Sequence, residues 1–445
     1  MAFLDETGLA ELWSITKAKA MPTKETAALF GLGEGATVDD VLRKIPKLVS
    51  RVGDIRTTLR SDLGDDWLLC NGEALDTARY PELAKLIIPT KGAATAGASG
   101  MRGNTGFSQG YYATCKYVNG RLFVCTGTSG SSPLLYVSDN DGATFTTIET
   151  GASTNFSDII YYDGMYIAVG SGYSPNTITV AYSSDDLATW THYTVAAGQG
   201  QREYARIAVH DGIFVVTGFS GVFVSTDITS DNFVLRELTA DGLVLSSIRS
   251  IFYDEHRKLW FTGGFANKSN AGYPLYMLYA TDPRGEWTSR LISTQNSYYT
   301  KIDSIVCTKH YIVLAGQKSG SNKVWRMTDV DATIFESQPH TSGESTANGI
   351  GVCGGLFYVT VVADSQVSGT SYINRGMLTS SDAYTWTNAW TTSGSSATMD
   401  GDKCVILQPT SVSEWKVTKY GLDRYLPTST VNNVYTYIKA KEDAP

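Results

Sequence analysis

A two-strand unit recurs seven times between residues 115 and 407, and no other feature limits so strongly what this chain can fold into. Its clearest copies are 115–125, 159–170 and 207–218, each an apolar run, a turn dipeptide and a second apolar run. The dipeptides Asn119-Gly120, Asp163-Gly164 and Asp211-Gly212 suit a two-residue type I′ turn, because both central positions of that turn need positive φ. Weaker copies are 251–263, turning at Glu255-His256-Arg257-Lys258, and 305–316, turning at Lys309-His310. Two more follow at 350–361, turning at Gly354-Gly355, and at 397–407, turning at Asp400-Gly401. Successive turns lie 44, 48, 44, 54, 45 and 46 residues apart. A period of that size, with room for four strands per unit, is the signature of a β-propeller. The sequence therefore predicts a mainly β chain with a propeller of about seven blades over residues 111–421.

Composition agrees and narrows the function classes. The 26 Tyr, 9 Trp and 43 Gly against 12 Pro suit strands and tight turns better than a helical bundle. At 445 residues the chain exceeds what one hydrophobic core serves, so a repeat array or more than one unit is expected. With 36 Lys and Arg against 44 Asp and Glu the net charge is −8, which argues against a nucleic-acid partner. No window of about 18 apolar residues occurs, so membrane insertion is not expected. The first residues lack a basic and then apolar leader, and synthesis without a secretory signal, in a cytoplasm, is the expectation. The six cysteines show no paired spacing, and free core thiols are expected rather than disulfides. His192, His210, His256, His310 and His340 form no ligand pair, and Gly263-Gly264 lacks the Lys and helix of a phosphate cradle, so neither a metal nor a cofactor is expected.

The second half of each unit carries another motif. Residues 138–145, 183–190, 280–287 and 380–386 share a small polar residue, an acid and a terminal aromatic, with looser copies around Asp227 and Asp329. They resemble the Asp-box of sialidase-like propellers. The acids assigned to it are Asp139, Asp185, Asp227, Asp282, Asp329 and Asp382, in a structural role: each carboxylate accepts turn amide hydrogens, and the aromatic packs between blades.

The first ninety residues read differently. Leu4, Leu9, Leu12, Trp13 and Thr16 share a helical face after Asp5, a second short helix is expected over about 24–30, and a third begins at Thr37 and stops before Pro46. Their apolar stripes would pack on copies of themselves or another protein, or equally on the chain's own downstream domain. After these helices come Gly53-Asp54-Ile55-Arg56, then Asp66-Trp67-Leu68-Leu69-Cys70-Asn71-Gly72, then Tyr80-Pro81-Glu82-Leu83. That series resembles the phage tail-collar domain, and the closing stretch Val434-Tyr435-Thr436-Tyr437-Ile438-Lys439 is similar to the last strand of the same family. The opening segment also resembles that of prophage tail-fibre proteins.

The resemblance implies a division into a helical attachment and oligomerisation region (1–50), the first part of a collar-like domain (51–90), a small-residue linker (91–110), the inserted propeller (111–421) and the collar's closing strand and tail (422–445). It also implies a virion-tail fibre that binds a bacterial surface polysaccharide, assembles as a homo-oligomer, expected to be a trimer, and contacts other tail or baseplate proteins. Loops opposite the Asp-boxes supply the glycan-binding candidates Tyr173, Asn176, Arg202, Asn267, Tyr273, Tyr298 and Tyr299, since aromatic faces stack on pyranoses and amides bind hydroxyls. Arg102, Arg121, Arg202, Arg206 and Arg249 are scattered and no Arg-Ile-Pro segment opens the propeller, so the reading is non-catalytic, with no catalytic residue assigned. A glycan-cleaving enzyme and a purely structural virion protein remain the alternatives.

Overall fold

The computed structural model describes residues 55–58, 67–87 apart from 71, and 90–439 with breaks at 103–113, 127–133, 153, 172–176, 198–204, 267–271, 295–299, 340–344, 354–355, 364–375, 391–395, 401–402, 412–413 and 424–434. The helices expected within the first fifty residues lie outside these. The chain divides into two compact units, one of residues 1–88 with 424–445 and one of Pro89–Asp423.

In the smaller unit, Tyr435–Lys439 pairs antiparallel with Ile55–Thr58 on one side and Trp67–Leu69 on the other. The helix Pro81–Leu86 begins on a proline, whose fixed φ and missing N–H suit a first-turn position. Before it, the Asp76 carboxylate accepts the Ala78 and Arg79 amides in a turn. Cys70, Leu75, Tyr80, Leu83 and Ile438 form a small core.

The larger unit is a seven-bladed β-propeller. Six blades are consecutive meanders whose innermost strands are Thr114–Val118, Asn155–Tyr162, Ile207–His210, Ile251–Asp254, Lys301–Cys307 and Ser345–Cys353. All seven hairpins read from the sequence are the inner two strands of a blade. The I′ signals act as expected: Asn119, Asp163 and Asp211, with the glycines that follow them, all have φ between 47° and 80°. The fourth blade carries an extra hairpin, Thr239–Ala240 with Leu243–Ser246.

The seventh blade corrects the expected linker. Its inner strands Ser396–Asp400, Lys403–Ser411 and Glu414–Asp423 come from the end of the propeller, but its outermost strand is Thr90–Arg102. The ring is thus closed by pairing its first strand with its last. The small residues there have a packing reason rather than a linker's: a Cβ on Gly97 would lie 2.7 Å from the Gly142 carbonyl oxygen, and the Ala98 amide donates to that same oxygen.

Between blades the core is apolar and aromatic. Trp260, Trp325, Trp415, Phe123 and Phe261 are fully buried, and Phe123 packs on Tyr166 of the next blade at 5.4 Å between ring centroids.

Candidate functional site

The Asp-box turns and the inner hairpin turns share one face, where at four of the seven junctions basic side chains of one blade reach the turns of the next. Arg121 in the first blade bonds Asp186 through both terminal nitrogens, at 2.7 and 3.0 Å. Arg257 of the fourth reaches the Thr308 and Thr328 carbonyls, at 3.0 and 2.7 Å, and Arg290 donates to Val330 and Ala332 of the fifth. Arg326 of the fifth donates to the Asp382 carbonyl, and Lys403 and Lys419 of the seventh converge on Asp141 of the first at 2.8 Å.

Within the boxes, Asp185 accepts from Ser183 and Thr189, Asp227 from Thr229, Asp282 from Arg284, Asp329 from Val330, and Asp382 from Ser380, Tyr384 and Thr385. The Thr189 hydroxyl and amide, with the Ser183 hydroxyl, hold Asp185 down at about 2. Asp139 is a correction. The box position of the first blade belongs to Asn140, which accepts from Ser138 and from the Thr144 amide, while Asp139 points away and pairs with Arg121 at 2.8 Å. Serine, one intervening residue and then the acceptor is the spacing that matters, and Ser138 therefore selects Asn140.

The opposite end of the ring holds the cavity. The innermost strands of all seven blades line a central channel of about 510 Å³. The residue just before the first inward-packing apolar residue of each inner strand faces it, giving a ring of Thr114, Asp158, Arg206, Ser250, Ser304, Gly349 and Ser396. β-Bulges re-aim this part of the strand in three blades, where Ser157, Asp303 and Asn348 are the extra residues.

At the ring, two of the channel's three carboxylates are already committed to cations. Asp158 takes Lys116 at 2.9 Å and the Ile159 and Ile207 amides at 2.9 and 3.2 Å. Asp303, with 3% of its side chain exposed, lies 3.4 Å from Arg249 and 3.8 Å from Lys301. Arg206 differs: its Nη1 donates to the Ser157 and Ala205 carbonyls, and among the described residues it meets no carboxylate. Behind the ring, burial pushes the Cys115 and Cys125 thiols up to about 12, so they stay protonated and unreactive.

At the far end of the channel, His210 stacks on Tyr253 with centroids 3.5 Å apart and 16° between planes, and its nitrogens face Glu255 and Asp211 at 3.1 and 3.2 Å. Among the described residues no group of three His, Cys, Asp or Glu side chains could hold a metal ion.

Of the seven glycan-binding candidates, only Tyr273 lies within the described residues, where its ring meets Phe265 edge-on at 5.7 Å. Tyr173, Asn176, Arg202, Asn267, Tyr298 and Tyr299 lie outside them. The channel set was not singled out from sequence as a site. Its only signal there is the polar residue preceding each inner strand, which gains meaning once the ring closes.

No family model matches the chain, and no curated protein matches it. Among solved structures it is similar to an ulvan lyase, described as a new family of polysaccharide lyase (10% identity, TM-score 0.49, 77% of this chain and 99% of that one). It is also similar to YCF48 bound to D1 peptide (11%, 0.45, 80% and 98%) and to the Trypanosoma rangeli sialidase in complex with sialic acid (10%, 0.41, 70% and 54%). Two of these three carry the names of enzymes, which runs against the non-catalytic expectation. That expectation rested on scattered arginines, but distance in sequence does not measure distance in a ring. Arg206 and Arg249, 43 residues apart, stand at the starts of inner strands in adjacent blades, whereas Arg121 lies on the box face.

Proposed function

We propose that this chain is a carbohydrate-recognition protein of the phage tail-fibre type, whose propeller engages a bacterial surface polysaccharide at the channel end opposite the Asp-boxes. The observation that carries the reading is the channel itself: seven inner strands converge on a concave ring with polar side chains at six of its seven positions, fixed by bulges and ion pairs, and a few fixed polar groups in a concave wall are what orients a small ligand. The fibre assignment is supported by the tail-collar motifs around Trp67, Cys70 and Tyr80-Pro81, and by the pairing of Tyr435–Lys439 with strands from the start of the chain. On this reading the protein is a homotrimer on the virion tail, held by other tail proteins, and multiplies weak contacts through its copies.

A second reading, a glycan-cleaving propeller, is favoured by the two carboxylates, Asp158 and Asp303, in one cavity. One experiment separates the two. The full chain is incubated with capsular and cell-wall polysaccharides, and both retention and the release of new chain ends are followed. Retention without release supports adhesion, release supports cleavage, and neither, across intact cells as well as isolated polymers, refutes carbohydrate recognition.

A further inference from the structure

We propose that the channel selects acidic sugars, with Arg206 and Ser250 as the residues that take the anionic group; this rests on the carbohydrate reading above. Arg206 and Ser250 occupy the same register position in adjacent blades, each immediately before the apolar residue that opens its inner strand, Ile207 and Ile251. Both line the cavity.

The first observation is the unspent guanidinium. Lys116 is matched by Asp158, and Asp303 is shared by Arg249 and Lys301. Arg206 has no such match among the described residues: its two hydrogen bonds both leave Nη1 and go to neutral carbonyls, so Nε and Nη2 carry none there. Those bonds fix the group's orientation without neutralising it. A planar fork held in this way suits two oxygens of a carboxylate or sulfate.

The second observation is independent of the first. The Ser250 side-chain oxygen is buried, in a residue only 3% exposed, and makes no hydrogen bond among the described residues. A buried hydroxyl without a partner is costly, and since Ser250 lines the cavity, a turn about its Cα–Cβ bond is the movement by which a ligand oxygen would supply one.

The third is the local charge. Lys116, Arg206, Arg249 and Lys301 against Asp158, Asp303 and, at the far end of the channel, Glu255 leave an excess of one positive charge among the described residues that line the channel or pair with its lining, on a chain whose net charge is −8. The anionic group is a uronate carboxylate or a sulfate ester, and the test has an arm for each.

The full-length protein is titrated with glucuronate, glucose 6-sulfate and glucose by calorimetry, in the wild type and in Arg206→Gln, Arg206→Lys and Ser250→Ala, with thermal melting to confirm folding. The expected result is binding of at least one anionic sugar in preference to glucose. Arg206→Gln should then weaken it by roughly 10- to 100-fold, Arg206→Lys less, and Ser250→Ala by several-fold. Glucose bound as well as the acids, or anionic binding indifferent to Arg206→Gln in a folded variant, overturns the proposal and leaves carbohydrate recognition standing. No binding of any of the three by the wild type overturns this proposal, and the polysaccharide retention assay then decides separately whether the broader reading falls with it.

Discussion

Removing Arg257 should destabilise the propeller by about 3–5 kcal/mol, the cost of stranding a buried charge. Asp254 has 2% of its side chain exposed and Arg257 12%, and they bond at 2.7 Å. The same guanidinium donates to the Thr308 and Thr328 carbonyls of the next blade, so Arg257→Met removes an ion pair and a seam between blades together. At about 2.1 cal/mol/K of unfolding entropy per residue, a cooperative unit spanning Pro89–Asp423 loses about 4–7 °C in Tm. Asp254→Asn should cost less, because it leaves no bare carboxylate. The double variant should be nearer Asp254→Asn than the sum of the two, a coupling of about 2 kcal/mol or more. Urea unfolding of the four proteins, followed by tryptophan fluorescence, measures the cycle. A loss under 1 kcal/mol in Arg257→Met, or additive costs, would refute the clasp.

Other consequences can be measured alongside. Asp382 sits at about 2, where burial, which would raise it, is outweighed by the Thr385 and Tyr384 amides, the Ser380 hydroxyl and Arg326. Its folded value lies below the unfolded one, so its contribution is present above about pH 4 and is lost as pH falls toward 2; Asp382→Asn should flatten the acid limb of a Tm-against-pH curve over that window. Trp415 and Trp325 are both fully buried, but the Trp415 indole nitrogen has no hydrogen-bond partner among the described residues while that of Trp325 donates to Glu336 at 3.1 Å. Trp415→Phe should therefore be the cheaper by about 1 kcal/mol, and equal losses in denaturant midpoint would contradict this. Gly316→Ala would place its Cβ 2.0 Å from the Lys301 carbonyl oxygen, a backbone atom, and should yield insoluble or strongly destabilised protein. Gly120→Ala, with open space but φ of +73°, should fold and lose only about 1–2 kcal/mol.

Hairpins were legible because their turns need residues that little else demands: Asn-Gly and Asp-Gly mark four blades, and the spacing carries the other three. The closing strand was not legible. Gly92, Ala93, Ala94, Ala96, Gly97 and Ala98 show no alternation of apolar and polar residues, and at Gly97 and Ala98 the small size answers to the Gly142 backbone beside them. The box acid of the first blade was misread for a related reason, since three polar residues in a row, Asp139, Asn140 and Asp141, leave the choice to the Ser138 hydroxyl. The channel site was the least legible. Asp158, Arg206 and Ser250 are separated by more than forty residues at each step, and only ring closure and the bulge at Ser157 bring them to one rim.

Closing the ring with its first strand also sets a timetable for synthesis. Thr90–Arg102 leaves the ribosome about 320 residues before the end of its partner Glu414–Asp423, and at roughly 5–20 residues per second it waits on the order of 15–60 s as an open edge. Long apolar edges left open for such times recruit other chains. This one is rich in glycine and alanine, poor material for a steric zipper, and three register shifts interrupt its final pairing. A segment unattractive to strangers while it waits, and then held by eight paired residues when its own partner arrives, lets a nascent chain postpone the last step of its assembly without aggregating.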